Sequence, residues 1–245
     1  QSNTVVLVVG DRYETVERPT EGALYEALYR LRERASGTLL FLSGEGEGDL
    51  ERRDELGYSG LAAALETEGY ELRGAASASL AEVPADVDAV VVLGPRRRLL
   101  PATLDALRAY LERGGRLVAL LEPGVDSGLE ELLAEFGLAS QAGVVVDPVS
   151  AALEEEVRGI APLIQNYESH PATRGLDPSR MAVFHGARAF SLRRPRVGDR
   201  VQRTALSSPR AWVSPDLGLL HGRGGLPDPG GSPLGYQTLA AVGRY

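Results

Sequence analysis

The chain has no cysteine. That excludes disulfides, thiolate metal sites and a cysteine nucleophile, and leaves the compartment open. It also has no lysine: all 26 basic residues are arginine, outnumbered by 34 acids to a net charge of -8. A broad nucleic-acid role needs a cationic face and is excluded on this balance. Only three histidines occur, His170, His185 and His221, too far apart for metal-ligand spacing, so neither a metal nor a cofactor is expected. Tryptophan and methionine occur once each. No apolar run approaches the ~18–20 residues that span a bilayer.

What the chain does have is clearest between Asp88 and Gly124. Ala89–Leu93 and Leu117–Leu121 are apolar at every position, which predicts strands buried on both faces, as in a parallel sheet covered by helices. Between them Leu104, Leu107 and Leu111 share one helical stripe. Pro101 suits the first helical turn and Gly114 a left-handed stop. The same rhythm extends in both directions. Val5–Val9 reads as a strand ending at Gly10-Asp11-Arg12. A helix follows from the N-cap Thr20 with Leu24, Leu28 and Leu31 on one face. Thr38–Leu42 reads as a strand closed by the loop Ser43–Asp49, Leu61–Leu65 as helix, and Glu71–Arg73 as a short strand. Ser127 and Glu130 make a capping-box pattern before Leu129, Leu132, Leu133 and Phe136, and Val144–Val146 leads to Asp147-Pro148.

This alternation predicts a doubly wound α/β core over residues 4–148, a mainly parallel sheet with helices on both faces. Beyond Ser150 the rhythm breaks. A short helix at Ala151–Val157 and strands at Ala182–Phe184, Ala189–Leu192, Val201–Leu206 and Leu239–Val242 suggest an irregular α+β extension over 149–245. It is interrupted by the Gly/Pro-rich loop Gly222–Pro233. Trp212 is expected to pack the extension on the core. Gln1-Ser2-Asn3 reads as the remnant of an expression tag and is set aside.

In open α/β sheets, ligands bind beyond the carboxyl ends of the strands. Those ends carry Asp11, Arg12, Glu45, Glu47, Arg96, Glu122 and Asp147, a mixed-charge rim able to orient a small polar ligand. Polar residues must also follow buried strands simply to meet water, and the rim has that reading too. Gly44–Asp49 has the glycines of a phosphate cradle but the wrong charge. Glu45, Glu47, Asp49 and Glu51 surround it, and one like-charge contact at ~4 Å costs about 4 kcal/mol at a surface dielectric. Its spacing also misses the Walker and dinucleotide patterns. The cluster Arg96-Arg97-Arg98 is open to an anion or to pairing with nearby acids. No Gly-x-Ser-x-Gly elbow occurs, so no activated nucleophile is visible.

Several short motifs in this order resemble the auxiliary component of uncharacterised ABC transport systems, the family named for gliding motility. Gly44-Glu45-Gly46-Glu47 stands where that family tends to show Gly-His-Gly-Glu. Asp88–Gly115 is similar to its strand, Gly-Pro turn, basic loop, Leu-rich helix and Gly-Gly. Leu133–Pro148 resembles its helix-Gly-Val-Val-Asp-Pro segment, Tyr167–Pro171 its Tyr-x-x-His-Pro, and Thr204–Trp212 its Thr-Ser…Trp stretch. Two departures stand out. Glu45 replaces the family's histidine, so no role of that histidine carries over. The family's Val-rich strand ending in Gly-Asp is also missing, which the reading takes as truncation.

The resemblance implies a Rossmann-like, extracytoplasmic, non-enzymatic domain, held at the membrane by segments outside this sequence. Its partners would be an ABC permease and ATPase, and it would bind a small polar ligand or another subunit. His170, within the Tyr-x-x-His-Pro match, is a further candidate ligand-binding residue on this ground, with a structural hydrogen bond at a turn as its plainer reading. Two other readings stand beside this one: a hydrolase or transferase using rim carboxylates, and a purely structural membrane-complex subunit.

Overall fold

The computed structural model describes residues 4–9, 12–32, 37–54, 57–151, 159–164, 166–174, 176, 181–193, 200–221 and 226–244. The alternation expected from the sequence is realised in its central part. Strands β3 (Gly37–Ser43), β4 (Tyr70–Ala76), β5 (Ala89–Leu93) and β6 (Leu117–Leu120) form one sheet in the order β4-β3-β5-β6. Every pairing in it is parallel. Helix α2 (Ser59–Glu68) connects β3 to β4, and α3 (Pro101–Glu112) connects β5 to β6.

Alternation along each strand sends side chains to opposite faces. Leu40, Leu42, Val90 and Val92 pack with Leu104, Leu107 and Leu111 of α3 in the larger core. Leu39, Phe41, Val91 and Leu93 cluster with Leu50, Tyr58 and Leu65. Pro101 opens α3 as expected, and Thr20 caps α1 (Glu21–Arg32), its Oγ1 accepting the Ala23 N–H at 3.2 Å.

Outside this unit the sheets are antiparallel, which corrects the expectation of one mainly parallel sheet from Val5 to Asp147. β1 (Val5–Val9) pairs with β2 (Arg12–Val16) as a hairpin, with Val9 opposite Arg12. Gly-Asp between two runs is a signal for a two-residue hairpin connection, and the reading of Val5–Val9 as a lone strand passed over it.

After α4 (Leu129–Glu135) come β7 (Leu138–Ser140), β8 (Val144–Val146), α5 (Pro148–Ala151), β9 (Leu163–Ile164), β10 (Asn166–Tyr167), β11 (Ala182–Val183), β12 (Phe190–Leu192), β13 (Arg200–Leu206), β14 (Trp212–Ser214) and β15 (Thr238–Arg244). They make a five-stranded sheet in the order β10-β13-β15-β12-β7 and the pairs β9–β11 and β8–β14, all antiparallel.

The all-apolar run Val144–Val146 therefore signalled burial and not parallel pairing. Val145 lies in a cluster with Ile164, Ala205 and Leu239, while Val144 and Val146 lie in another with Ile160, Trp212 and Leu219. A strand between two cores is apolar on both faces whichever way its partner runs. Trp212 sits opposite Val146 in the β8–β14 ladder and is 3% exposed. Most of the short helix expected at Ala151–Val157 lies outside the described residues.

Candidate functional site at the carboxyl ends of the parallel strands

The strand order places β4 to one side of β3 and β5 to the other, so the chain changes direction between β3 and β5. A crevice opens at such a switch point. The loop after β3 enters it. Its course is held by backbone bonds: Gly48 N–H donates to Leu93 O at 2.7 Å, and the N–H groups of Arg96 and Arg97 both donate to Glu45 O, at 2.9 and 3.0 Å. Two glycines make this closeness possible. A β-carbon at Gly48 would fall 2.2 Å from the Tyr58 ring, so the loop and the ring could not pack as they do. Gly94 has φ +60°, and a β-carbon there would fall 2.8 Å from Glu122 Oε1.

Around this frame the charges sort into a braced set and an open set. Glu45 is braced. Its Oε1 accepts from Ser77 Oγ at 3.2 Å, its Oε2 lies 3.4 Å from Arg97 Nε, and Arg97 also donates to Gly44 O. Glu47 folds back so that its Oε2 accepts the Glu45 N–H at 2.7 Å, while its Oε1 is buried without a partner. Thr103 of α3 donates to Ser77 O at 2.8 Å, tying this corner to the core. The open set is Tyr58, Arg96 and Glu122. Burial holds the Tyr58 phenol above its ordinary value, the Glu122 carboxylate adds to that shift, and Arg96 opposes it. These three groups therefore share one electrostatic neighbourhood. No hydrogen bond to another side chain occupies Arg96 or Glu122 among the described residues.

Of the residues expected on the rim, the structure brings together Glu45, Glu47, Arg96 and Glu122. Arg12 begins β2, in the separate hairpin, and Asp11 lies outside the described residues. Asp147 is fully buried elsewhere. Its Oδ1 accepts from Val149 N–H at 3.0 Å and Ser208 Oγ at 2.7 Å, and its Oδ2 accepts from Ser208 N–H at 2.8 Å. His170 caps the turn Pro171–Thr173: its Nδ1 accepts the Ala172 N–H at 3.0 Å, and its own N–H donates to Thr173 Oγ1 at 3.1 Å.

Tyr58, Ser77 and Arg188 lie outside the expected candidates. Ser77 immediately follows β4, and a strand read to its true end would have reached it. Of the arginine cluster, Arg97 and Arg98 pair with nearby acids, as one of its two readings had it: Arg97 with Glu45 at 3.4 Å, Arg98 with Asp126 at 2.5 Å and Glu131 at 2.8 Å. Tyr58 and Arg188 have no local signal. Arg188 reaches from the C-terminal half to the loop after β6: its Nη1 donates to Glu122 O at 3.2 Å, Val125 O at 3.0 Å and Glu130 Oε1 at 2.7 Å.

Comparison with known proteins bears on this whole region. A family model described as ABC-type uncharacterized transport system matches residues 37–242, from the first parallel strand to the last antiparallel one. The chain belongs to this family. It is thus related to the auxiliary components of ABC transport systems, as the motifs suggested. No curated protein matches it. Among solved structures, the mmIFT52 N-terminal domain is similar with a TM-score of 0.55 at 17% identity, over 71% of this chain and 74% of that one. At that identity the likeness is one of fold alone.

Among the described residues no three His, Asp or Glu side chains are grouped as metal ligands, and no helix is long and apolar enough to cross a membrane.

Proposed function

We propose that this chain is a non-enzymatic auxiliary subunit of an ABC transport system. It works on the extracytoplasmic face, tethered to the membrane in the full-length protein, and the crevice at the β3–β5 switch point engages a small polar ligand or a neighbouring subunit. The observation that carries the reading is the family match, which spans the same sheet and rim that hold the open set. A Rossmann-like arrangement with helices on both faces accords with the two clusters flanking the parallel sheet. The rim supports recognition over turnover. Among the described residues its one hydroxyl–carboxylate pair, Ser77 with Glu45, has the serine 1% exposed, where a substrate carbonyl has no access. Tyr58, Arg96 and Glu122 instead offer a hydroxyl, a cation and an anion within one electrostatic neighbourhood, a set that orients a polar partner.

Affinity purification of the full-length protein from its native membrane should retain an ATPase and a multi-span permease. Tyr58→Phe with Arg96→Ala should reduce that retention, or the ATPase stimulation it supports, by about tenfold, the equivalent of ~1.4 kcal/mol. Protease added to intact spheroplasts should cleave the domain. Protection there, or purification free of both transport subunits, overturns the reading.

A further inference from the structure

The two edges of the parallel sheet are finished in opposite ways. On β4, Glu71 and Arg73 pair with each other at 2.9 Å, and Arg73 also pairs with Asp86 at 2.6 Å. Charges of this kind blunt an edge against further pairing. Strand β6 has no such protection: Leu117–Leu120 carries no charge, no proline and no bulge, and among the described residues pairs only with β5. The bonds from Val90 N–H to Arg116 O and from Gly94 N–H to Leu120 O show which backbone groups face inward. Those of Leu117 and Ala119 point outward, and no backbone bond takes them up among the described residues. On the α2 side of the sheet, Val118 continues the row of Val91 and Leu120 that of Leu93. Val91 and Leu93 are buried, yet Val118 is 50% and Leu120 40% exposed.

We propose that β6 pairs antiparallel with β6 of a second copy of this chain, about a two-fold axis at Ala119, making one continuous eight-stranded sheet. The sequence is self-complementary about that axis. Residues whose numbers sum to 238 face each other across it, so Val118 meets Leu120 of the second copy and Leu120 meets Val118. One step further out, Arg116 meets Glu122, twice over. Both are exposed, and neither has an ion-pair partner among the described residues. The outward N–H and C=O of Ala119 exchange bonds with their own symmetry mates, as a hydrogen-bonded antiparallel pair requires. Val118 and Leu120 then form the closer, non-hydrogen-bonded pairs, where side chains touch best. An isologous contact of this kind closes on itself and does not propagate. It also brings a second-copy arginine beside Glu122 at the rim. The inference does not depend on the transport reading, because its test involves neither ligand nor transporter.

Sedimentation across a concentration series should show a monomer–dimer equilibrium. Val118→Lys with Leu120→Lys, both at exposed positions, should raise the dissociation constant at least about tenfold, with the circular dichroism unchanged and the melting curve unchanged at concentrations where the wild type is monomeric. Arg116→Glu and Glu122→Arg should each leave the protein monomeric, because each creates two like-charge contacts. Mixed together they should form a heterodimer, since each then supplies what the other lacks. The chain has no cysteine of its own, so Ala119→Cys gives each copy one thiol. Opposed Cα atoms about 5.5 Å apart in such a pair fall within disulfide reach. Mild oxidation should link the two copies, whereas Glu71→Cys on the β4 edge should stay unlinked. A wild-type chain that is monomeric at all concentrations, or a dimer indifferent to the lysine pair, overturns the proposal. So does a pair of charge variants that fail to associate when mixed.

Discussion

At the scale of single residues, the rim is defined by which charges are already spoken for. Glu45 is held by Ser77 and Arg97, while Tyr58 feels Glu122 and Arg96 without bonding to either. The Tyr58 phenol is held above its ordinary value, first by burial and then by Glu122. A group raised on folding contributes stability below its unfolded value, near ~10 for tyrosine, and loses it as pH rises through the folded value. The difference in phenolate absorbance between the wild type and Tyr58→Phe isolates this one tyrosine. Glu122→Gln should move its titration down toward the ordinary value, and Arg96→Ala should move it further up. No response to either change would mean that the three groups do not share the crevice.

At the scale of elements, the loop after β6 is held by an arginine from far along the chain. Arg188 and Glu130 are side chains only 10% and 15% exposed, and their contact is 2.7 Å. Glu130 also accepts from Ser127 N–H at 3.0 Å and Ser127 Oγ at 2.9 Å, so only the carboxylate half of the expected capping box forms: α4 has Gly128 at its N-cap, and Ser127 Oγ accepts the Leu129 N–H at 3.3 Å and not that of Glu130. Removing one partner of a buried pair strands the other charge. Arg188→Met should cost about 3–5 kcal/mol in denaturant unfolding. Adding Glu130→Gln should recover part of that loss, because the stranded charge is then gone. Equal losses in the single and double variants would show that Arg188 acts through packing alone.

At the scale of the whole molecule, a parallel sheet and a set of antiparallel sheets each have their own cores, and the chain passes between them at β7 and β8. Asp147 stands just past β8 and binds the segment after β13 through both hydrogen bonds to Ser208. Asp147→Ala leaves the half-buried Ser208 N–H without its partner, which should cost about 1 kcal/mol. Trp212 is the single tryptophan and packs in the cluster that includes Val146, so its emission reports this region. In the Asp147→Ala variant the emission should shift to the red at lower denaturant than in the wild type. An unchanged midpoint would remove the structural role given to Asp147.

Local pattern alone determined the strand–helix units from β3 to β6, because buried apolar runs, the helical stripe of α3 and Pro101 at its start each act within a few residues of themselves. The carboxyl-end rim followed from those strands, and Glu45, Glu47, Arg96 and Glu122 were legible for that reason. What the pattern could not carry was the direction and partner of each strand. Val5–Val9 and Val144–Val146 are apolar in sequence, but pairing with β2 and β14 depends on segments brought up from elsewhere. For the same reason Asp147 looked like a rim residue and proved to be a staple, whereas the turn cap at His170 is local and was its plainer reading from the sequence. Tyr58 and Arg188 could not be found in advance, since a side chain's contacts across 30 or more residues leave no periodicity behind. Tertiary structure alone also decided that β6 would stand at an open edge while β4, in the same sheet, carries charges on its own.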